Sequence, residues 1–211
     1  MPRAGLTRDR ITTVALEMID EIGSAAFSMR KLGARLGVDP MAVYRHFRNQ
    51  EDLYDGVAEQ LFAQLDLDAL PWDSGWTQLC LQYCRRLCDV LLAHPEAVPL
   101  FATRPVRSAE SIAVGVRMID LFTQAGFSEA DGLRLARSLR EFTIGHAMSQ
   151  AAMLRGSQGR SRKPAPGSPD YNVLAEAADA TGIDDHFEAA VEALLNGFDR
   201  RRHASVQNDR S

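Results

Sequence analysis

The apolar positions of the chain recur at helical spacing from one end to the other. Ile11, Val14, Ala15, Met18, Ile19 and Ile22 form a stripe that stops at Gly23, which predicts a first helix starting near Thr7. Ser28 can accept from the first-turn N–H groups of a second helix, on which Leu32 and Leu36 share a face. Gly37 suits the left-handed residue that ends it, and Val38 points back inward. Asp39-Pro40 then opens a third, short helix with Val43 and Phe47 at i, i+4 on its inner face. Asn49-Gln50-Glu51-Asp52 signals the cap of a helix reaching about Leu65, with Leu53, Val57, Leu61 and Leu65 inward.

The pattern continues. A helix is expected over about 75–94, then a short irregular or helical piece between Pro95 and Thr103-Arg104-Pro105. Another is expected over 108–125, with Ile112, Val116, Ile119 and Phe122 along one side and Gly126 at its end. Ser128-x-x-Asp131 reads as a capping box for a long helix to about Leu154. Its stripe holds Leu135, Leu139, Phe142 and Met148, with Gly145 and Ala147 small enough for another helix to approach closely. Residues 155–170, rich in Gly, Ser, Pro and positive charge, cannot bury enough to order themselves and read as a flexible loop. The last helix is expected over about 184–201, with Phe187, Val191, Leu194, Leu195 and Phe198 inward. No segment alternates as a strand would, so the fold class is all-α.

Two short helices around a glycine turn form a helix-turn-helix, whose second helix can enter a DNA major groove. A plain packing corner would not need the outer face of that helix to carry Met41, Ala42, Tyr44, Arg45 and His46. Charge points the same way. Residues 1–50 hold eight Lys and Arg against five Asp and Glu, whereas the whole chain holds 24 against 28, a formal charge of −4. A positive end on an acidic protein suits local contact with phosphate.

Other classes find little support. No apolar run approaches the ~20 residues that span a bilayer, and the first residues lack the apolar core of a secretory signal. No membrane partner is expected, and a cytoplasmic protein is. Cys80, Cys84 and Cys88 fall on one helix face. They could form a thiol or metalloid sensor, or simply core; the absence of a Cys-x-x-Cys spacing favours core. No nucleophile–base pair, metal triad or phosphate loop is present, and Asp184-Asp185-His186 reads as capping. Neither enzymatic activity nor a cofactor nor a metal is expected.

With these elements placed, the sequence resembles the TetR family of bacterial transcriptional regulators. The resemblance is carried by FSMRKLGARLGVDPMAVYRHFRNQEDL, including the Leu-Gly-Val turn and the Tyr-x-His-Phe end of the recognition helix. It continues through Ala102-Thr103-Arg104-Pro105, Ala125-Gly126-Phe127-Ser128 and Glu141-Phe142-Thr143-Ile144-Gly145, as in the tetracycline-repressor-like class. It implies a homodimer that binds double-stranded DNA at a palindromic operator through a three-helix head. A larger helical body would bind a small-molecule effector and dimerise. The expected divisions are a head over 1–48, a connecting helix over 49–66, a body over 67–203 and a disordered tail over 204–211.

Carried over residue by residue, Ser28, Tyr44 and His46 look like phosphate contacts, while Arg30, Pro40 and Met41 sit where members touch base edges. Met29 falls in the same stretch, Ala42 could offer only a thymine-methyl contact, and Arg45 could go to phosphate or guanine. The family usually has Lys where this chain has Gln50, which removes one cationic contact that Arg48 could replace. Tetracycline-binding members use a His as the protein ligand to the drug's metal, and that position is Leu100 here. Drug-contact positions become Tyr83, Leu87 and Met118, with Leu61, Leu65 and Phe122 also facing the effector. The resemblance therefore implies a repressor released by a more apolar molecule than tetracycline–Mg, oriented by Tyr83, Thr103 and Arg104. Arg104 would suit an acidic or carbonyl group, or else bond carbonyls of its own chain. Leu135, Leu139, Phe142, Gly145, Met148, Val191, Leu194, Leu195 and Phe198 would line the dimer interface. An activator on the same scaffold, or a thiol-responsive repressor, is the alternative.

Overall fold

A computed structural model describes residues 5–104, 108–156 and 183–208, together with 173, 176, 177 and 180. Among them lie nine α-helices and no strand: α1 Arg8–Ile22, α2 Met29–Leu36, α3 Pro40–Tyr44, α4 Gln50–Ala63, α5 Trp76–Ala93, α6 Val98–Thr103, α7 Ala109–Gln124, α8 Glu129–Gly156 and α9 Ile183–Asn208. The chain divides into two compact units. One holds residues 1–70 and 85–117, the other 71–84 and 118–211. The expected boundaries at 48 and 66 do not coincide with this division, because 85–117 returns to the unit that contains the head.

The first unit is built on α1, which packs against both α2 and α4; α2 packs on α3, and α4 on α6. Ile11, Ala15 and Ile19 of α1 are fully buried, as are Leu32, Val43, Leu53, Val57 and Leu61. Side-chain caps start α1, α2, α3 and α4. Thr7 accepts from Arg10 N at 3.2 Å, Ser28 from Lys31 N at 3.3 Å, Asp39 from Met41 N at 2.7 Å and Asn49 from Asp52 N at 2.8 Å. Each supplies an acceptor to an N–H that the helix itself leaves unpaired.

In the second unit α8 lies along α9. Leu135, Leu139, Thr143, Ala147 and Ala151 are buried at four-residue spacing on α8, and Phe187, Val191 and Leu195 likewise on α9. Phe142 stacks on Phe187 with ring centroids 5.7 Å apart. Ser128 caps α8, accepting from Asp131 N at 3.1 Å. Asp131 in turn pairs with Arg134 at 2.7 Å, and this hydrogen bond lowers its pKa below the ordinary carboxylate value.

Several expectations need correction. α3 ends at Tyr44, so Phe47 is not on its helix, yet Phe47 is 1% exposed because the chain turns it inward immediately afterwards. α4 stops at Ala63 and α9 runs on to Asn208, past the start of the expected tail. The expected stripe on α7 splits: Phe122 is buried and Ile119 half-buried, whereas Ile112 and Val116 are 59% and 56% exposed. Positions 157–170 of the expected loop lie outside the described residues.

The helix-turn-helix depends on a close backbone approach. Gly37 ends α2 in the left-handed region, at φ 69°, which returns the chain towards α2. There a Cβ on Gly33 would lie 3.1 Å from Pro40 Cα and N and 3.2 Å from the Val38 carbonyl oxygen. These are backbone atoms and cannot rotate aside. Gly33→Ala is expected to destabilise the protein by about 1–3 kcal/mol. Urea unfolding followed by circular dichroism checks this, and an unchanged midpoint would mean that the turn yields without cost.

Candidate nucleic-acid interface

α3 has five residues, and only one of them, Val43, is fully buried. The rest of the helix is left facing outward. Met41 is 66% exposed and Tyr44 42%, Arg45 is exposed, and Pro40 and Ala42 are partly so. Large side chains grouped on one exposed face, with a cation beside them, suit a contact outside the fold. Pro40 at the first turn and the Asp39 cap fix the start of this helix, where side chains that read base edges project.

The remaining sequence-derived candidates surround it. Arg30, on α2, is exposed, and neither it nor Arg45 has an ion pair or side-chain hydrogen bond among the described residues. Both guanidinium groups are available to a ligand. Arg48 is 92% exposed in its side chain and lies 3.8 Å from Asp52, a pairing that water screens heavily. Ser28 and His46 are half-buried, and the Ser28 hydroxyl already serves the cap of α2. Gln50 donates to the Tyr54 hydroxyl at 2.9 Å, so its amide is tied to α4. Met29 is buried and presents 5% of its surface, since it shares with Leu32 the face turned to the core.

Two ionic features of the head escaped the periodicity. Glu21 and Arg35 form a two-bond pair, at 2.8 and 2.5 Å, that links α1 to α2. The hydrogen bond to Arg35 holds the Glu21 carboxyl below its ordinary pKa. Arg8, at the start of α1, donates to the His46 carbonyl, lies 3.6 Å from Asp52 and covers the Phe47 ring at 3.9 Å. No local spacing signals either pair, because the partners are 14 or more residues apart.

The effector candidates fall in both units. In the first, Leu61, Leu65, Leu87 and Leu100 are buried. Thr103 donates to the carbonyls of Pro99 and Leu100, and Arg104 is occupied. Its guanidinium donates to the Glu51 carbonyl at 3.1 Å, to the Asp55 carboxylate at 2.6 Å and to the Glu51 carboxylate, and lies 5.3 Å from the Tyr54 ring. Burial opposes its charge, but the bonds to Glu51 and Asp55 outweigh that, and its pKa is raised. In the second unit Tyr83, Met118 and Phe122 are buried, and burial pushes the Tyr83 phenol up.

Cys80, Cys84 and Cys88 form no disulfide and are 0%, 0% and 6% exposed. Burial, and then the neighbouring Cys84, raises the Cys80 pKa well above the ordinary thiol value, so the reactive thiolate is suppressed. Among the described residues no three His, Cys, Asp or Glu side chains converge on a metal position. Nor is any described helix long and apolar enough to cross a membrane.

Of the interface candidates, Leu135, Leu139, Val191 and Leu195 are already buried within the chain. Phe142, Leu194 and Phe198 are half-buried, Gly145 is exposed and Met148 is 40% exposed.

Comparison with known proteins agrees with this architecture. Residues 11–57 match the family described as bacterial regulatory proteins, tetR family. Residues 70–202 match the tetracyclin repressor-like C-terminal domain. The tetracycline repressor protein class A from transposon 1721 of Escherichia coli is 29% identical over 201 residues, covering 93% of this chain and 92% of its own. The TetR crystal structure from Acinetobacter baumannii AYE is similar with a TM-score of 0.77 at 25% identity, covering 94% of this chain and 99% of that one. The Streptomyces coelicolor TetR family protein ActR in complex with (S)-DNPA gives 0.75 at 25% identity, covering 92% and 98%. Regulators of this family bind operator DNA and small-molecule ligands and act as dimers. Matched in both its head and its body, the chain belongs to the tetR family of bacterial regulatory proteins.

Proposed function

We propose that this regulator is a homodimeric repressor that binds a palindromic operator through α3 and is released by a small, largely apolar effector other than tetracycline–Mg. The observation that carries the reading is the outer face of α3, where Met41, Tyr44 and Arg45 are exposed around a helix anchored from behind by Val43. Arg30, Pro40 and Met41 address base edges; Ser28, Tyr44, His46 and Arg48 address phosphates. Two such helices, roughly 34–36 Å apart, fit successive turns of one groove. The half-covered apolar side chains Phe142, Met148, Leu194 and Phe198 suit α8 and α9 to a second copy.

Leu100 supports the choice of effector. It is 6% exposed and its side chain has no atom that could ligate a metal. Relatives that are tetracycline repressors, or that were solved with (S)-DNPA, support a small organic ligand as the signal. The effector acts by linkage: it binds better to a dimer whose heads are misplaced for DNA, and so shifts the population. Arg104 is suited to carry that signal, since it ends α6 and grips the first two turns of α4 through Glu51 and Asp55.

Fluorescence anisotropy with the DNA upstream of the chain's own gene tests the repressor reading. Salt-sensitive binding to a short palindrome at nanomolar protein, reversed by an apolar compound, is the expected result. Failure of genome-wide selection to enrich any fragment over random DNA would sink it. Arg104→Met is expected to leave unfolding within about 1 kcal/mol of the parent, because Glu51 and Asp55 are 69% and 55% exposed. The same substitution should weaken the effector's influence on DNA affinity by about fivefold or more; an unchanged response would assign the cluster to stability alone. Cys84→Ser is expected to keep a full effector response in the same assay. Loss of the response with intact DNA binding would instead favour a thiol-responsive repressor.

A further inference from the structure

The contacts of Arg8 join three elements at one point. α3 is five residues long and its Val43 carbonyl takes both the His46 and Phe47 amides, at 2.9 and 3.1 Å. The carbonyl of His46 lies beyond that turn and receives its hydrogen bond from the Arg8 guanidinium. The same group covers the Phe47 ring at 3.9 Å and reaches Asp52, in the first turn of α4, at 3.6 Å. Asp52 also accepts from Arg48 N at 2.8 Å, so both sides of the 44–50 connection converge on one guanidinium–carboxylate pair.

We infer that Arg8 is a positioning residue for sequence readout: it clasps the C-terminal end of α3 and so sets the angle at which that helix presents its outer face. The inference rests on the DNA-binding reading of the head. A five-residue helix has no rigidity of its own, and Arg8 ties the segment just past its end to α1. Base-edge recognition depends on placing donors within tenths of an ångström, whereas attraction to the phosphate backbone tolerates misplacement. Loosening the clasp therefore removes discrimination before it removes attraction. Lysine cannot replace arginine here, because one ammonium cannot at once lie flat on a ring, donate to a carbonyl and face a carboxylate.

The test compares the full-length chain with Arg8→Lys and Arg8→Met. The wild-type protein first selects its preferred palindrome from a random DNA pool, and all three proteins are then titrated on that palindrome and on a scrambled duplex across a salt series. Arg8→Lys keeps the head's charge, and it is expected to bind the palindrome about tenfold more weakly while staying within about twofold on scrambled DNA. Its salt slope should match that of the wild type. Hydrogen exchange without DNA should show faster exchange of the amides of residues 43–48 in both variants.

Equal losses on both duplexes would make Arg8 a mere stabiliser. A weaker salt slope in Arg8→Met, by about one charge equivalent, would make it a phosphate contact. Either result overturns the inference, as does unaltered exchange at 43–48. If the wild-type chain enriches no sequence, the DNA reading itself fails, an outcome separate from a variant that discriminates as well as its parent.

Discussion

A recognition helix of five residues cannot hold itself in place, and the architecture of the head follows from that shortage. One turn of helix makes too few internal hydrogen bonds to offset the ordering of its backbone. Its position must come from neighbours. Val43 anchors it to the core, the Asp39 side chain and Pro40 fix its first turn, and Gly33 lets its backbone come within contact of α2. Phe47 and the Arg8 clasp hold the far end. Because every restraint comes from behind or from the ends, the outer face carries no structural duty and remains open to a ligand.

The arginines divide along the same line. Arg8, Arg35, Arg86 and Arg104 are committed within the chain. Arg86, for example, donates to the carbonyls of Leu65 and Ala69 at 3.2 and 2.9 Å and so ties down the segment that follows α4. Each of the four engages two or more acceptor atoms, a task that suits a planar fork with five donors. Arg30, Arg45 and Arg48 stand outside this set, on α2, just past the end of α3 and in the turn before α4. An acidic chain thus sets three exposed arginines around one short helix. That placement gives electrostatic attraction where a phosphate backbone would pass.

The legible parts of the sequence were those whose cause is local. Ser28, Asn49 and Ser128 announce helix starts because the amide each caps is three residues on. The outer face of α3 was legible as the complement of its apolar positions. Contacts over long separations were not: the partners of Arg104 lie about 50 residues earlier, and nothing in either segment's spacing names the other. Periodicity also misjudged places where burial and helix part company. Phe47 is buried just past a helix end, and Ile112 and Val116 hold helical spacing where the single chain offers no cover. Met29 was placed with the DNA contacts by its neighbours in sequence, but three residues from Leu32 it turns to the core.

The distribution of stiffness around α3 bears on how such a head could be selective without being large. Its start combines the fixed φ of proline, a capped first turn and the short Ala42, so little conformational entropy is lost there on binding. Long cationic side chains sit at the margins, where Arg45 and Arg48 are exposed to solvent. Phosphate contacts tolerate that placement, because a charge attracts over several ångströms whatever its exact direction. Base contacts do not, since a bidentate or methyl contact fails when the backbone that presents it tilts. Rigidity is therefore most valuable at Pro40–Ala42, and the elements that supply it are the buried core behind α3 and the ionic clasp at its end.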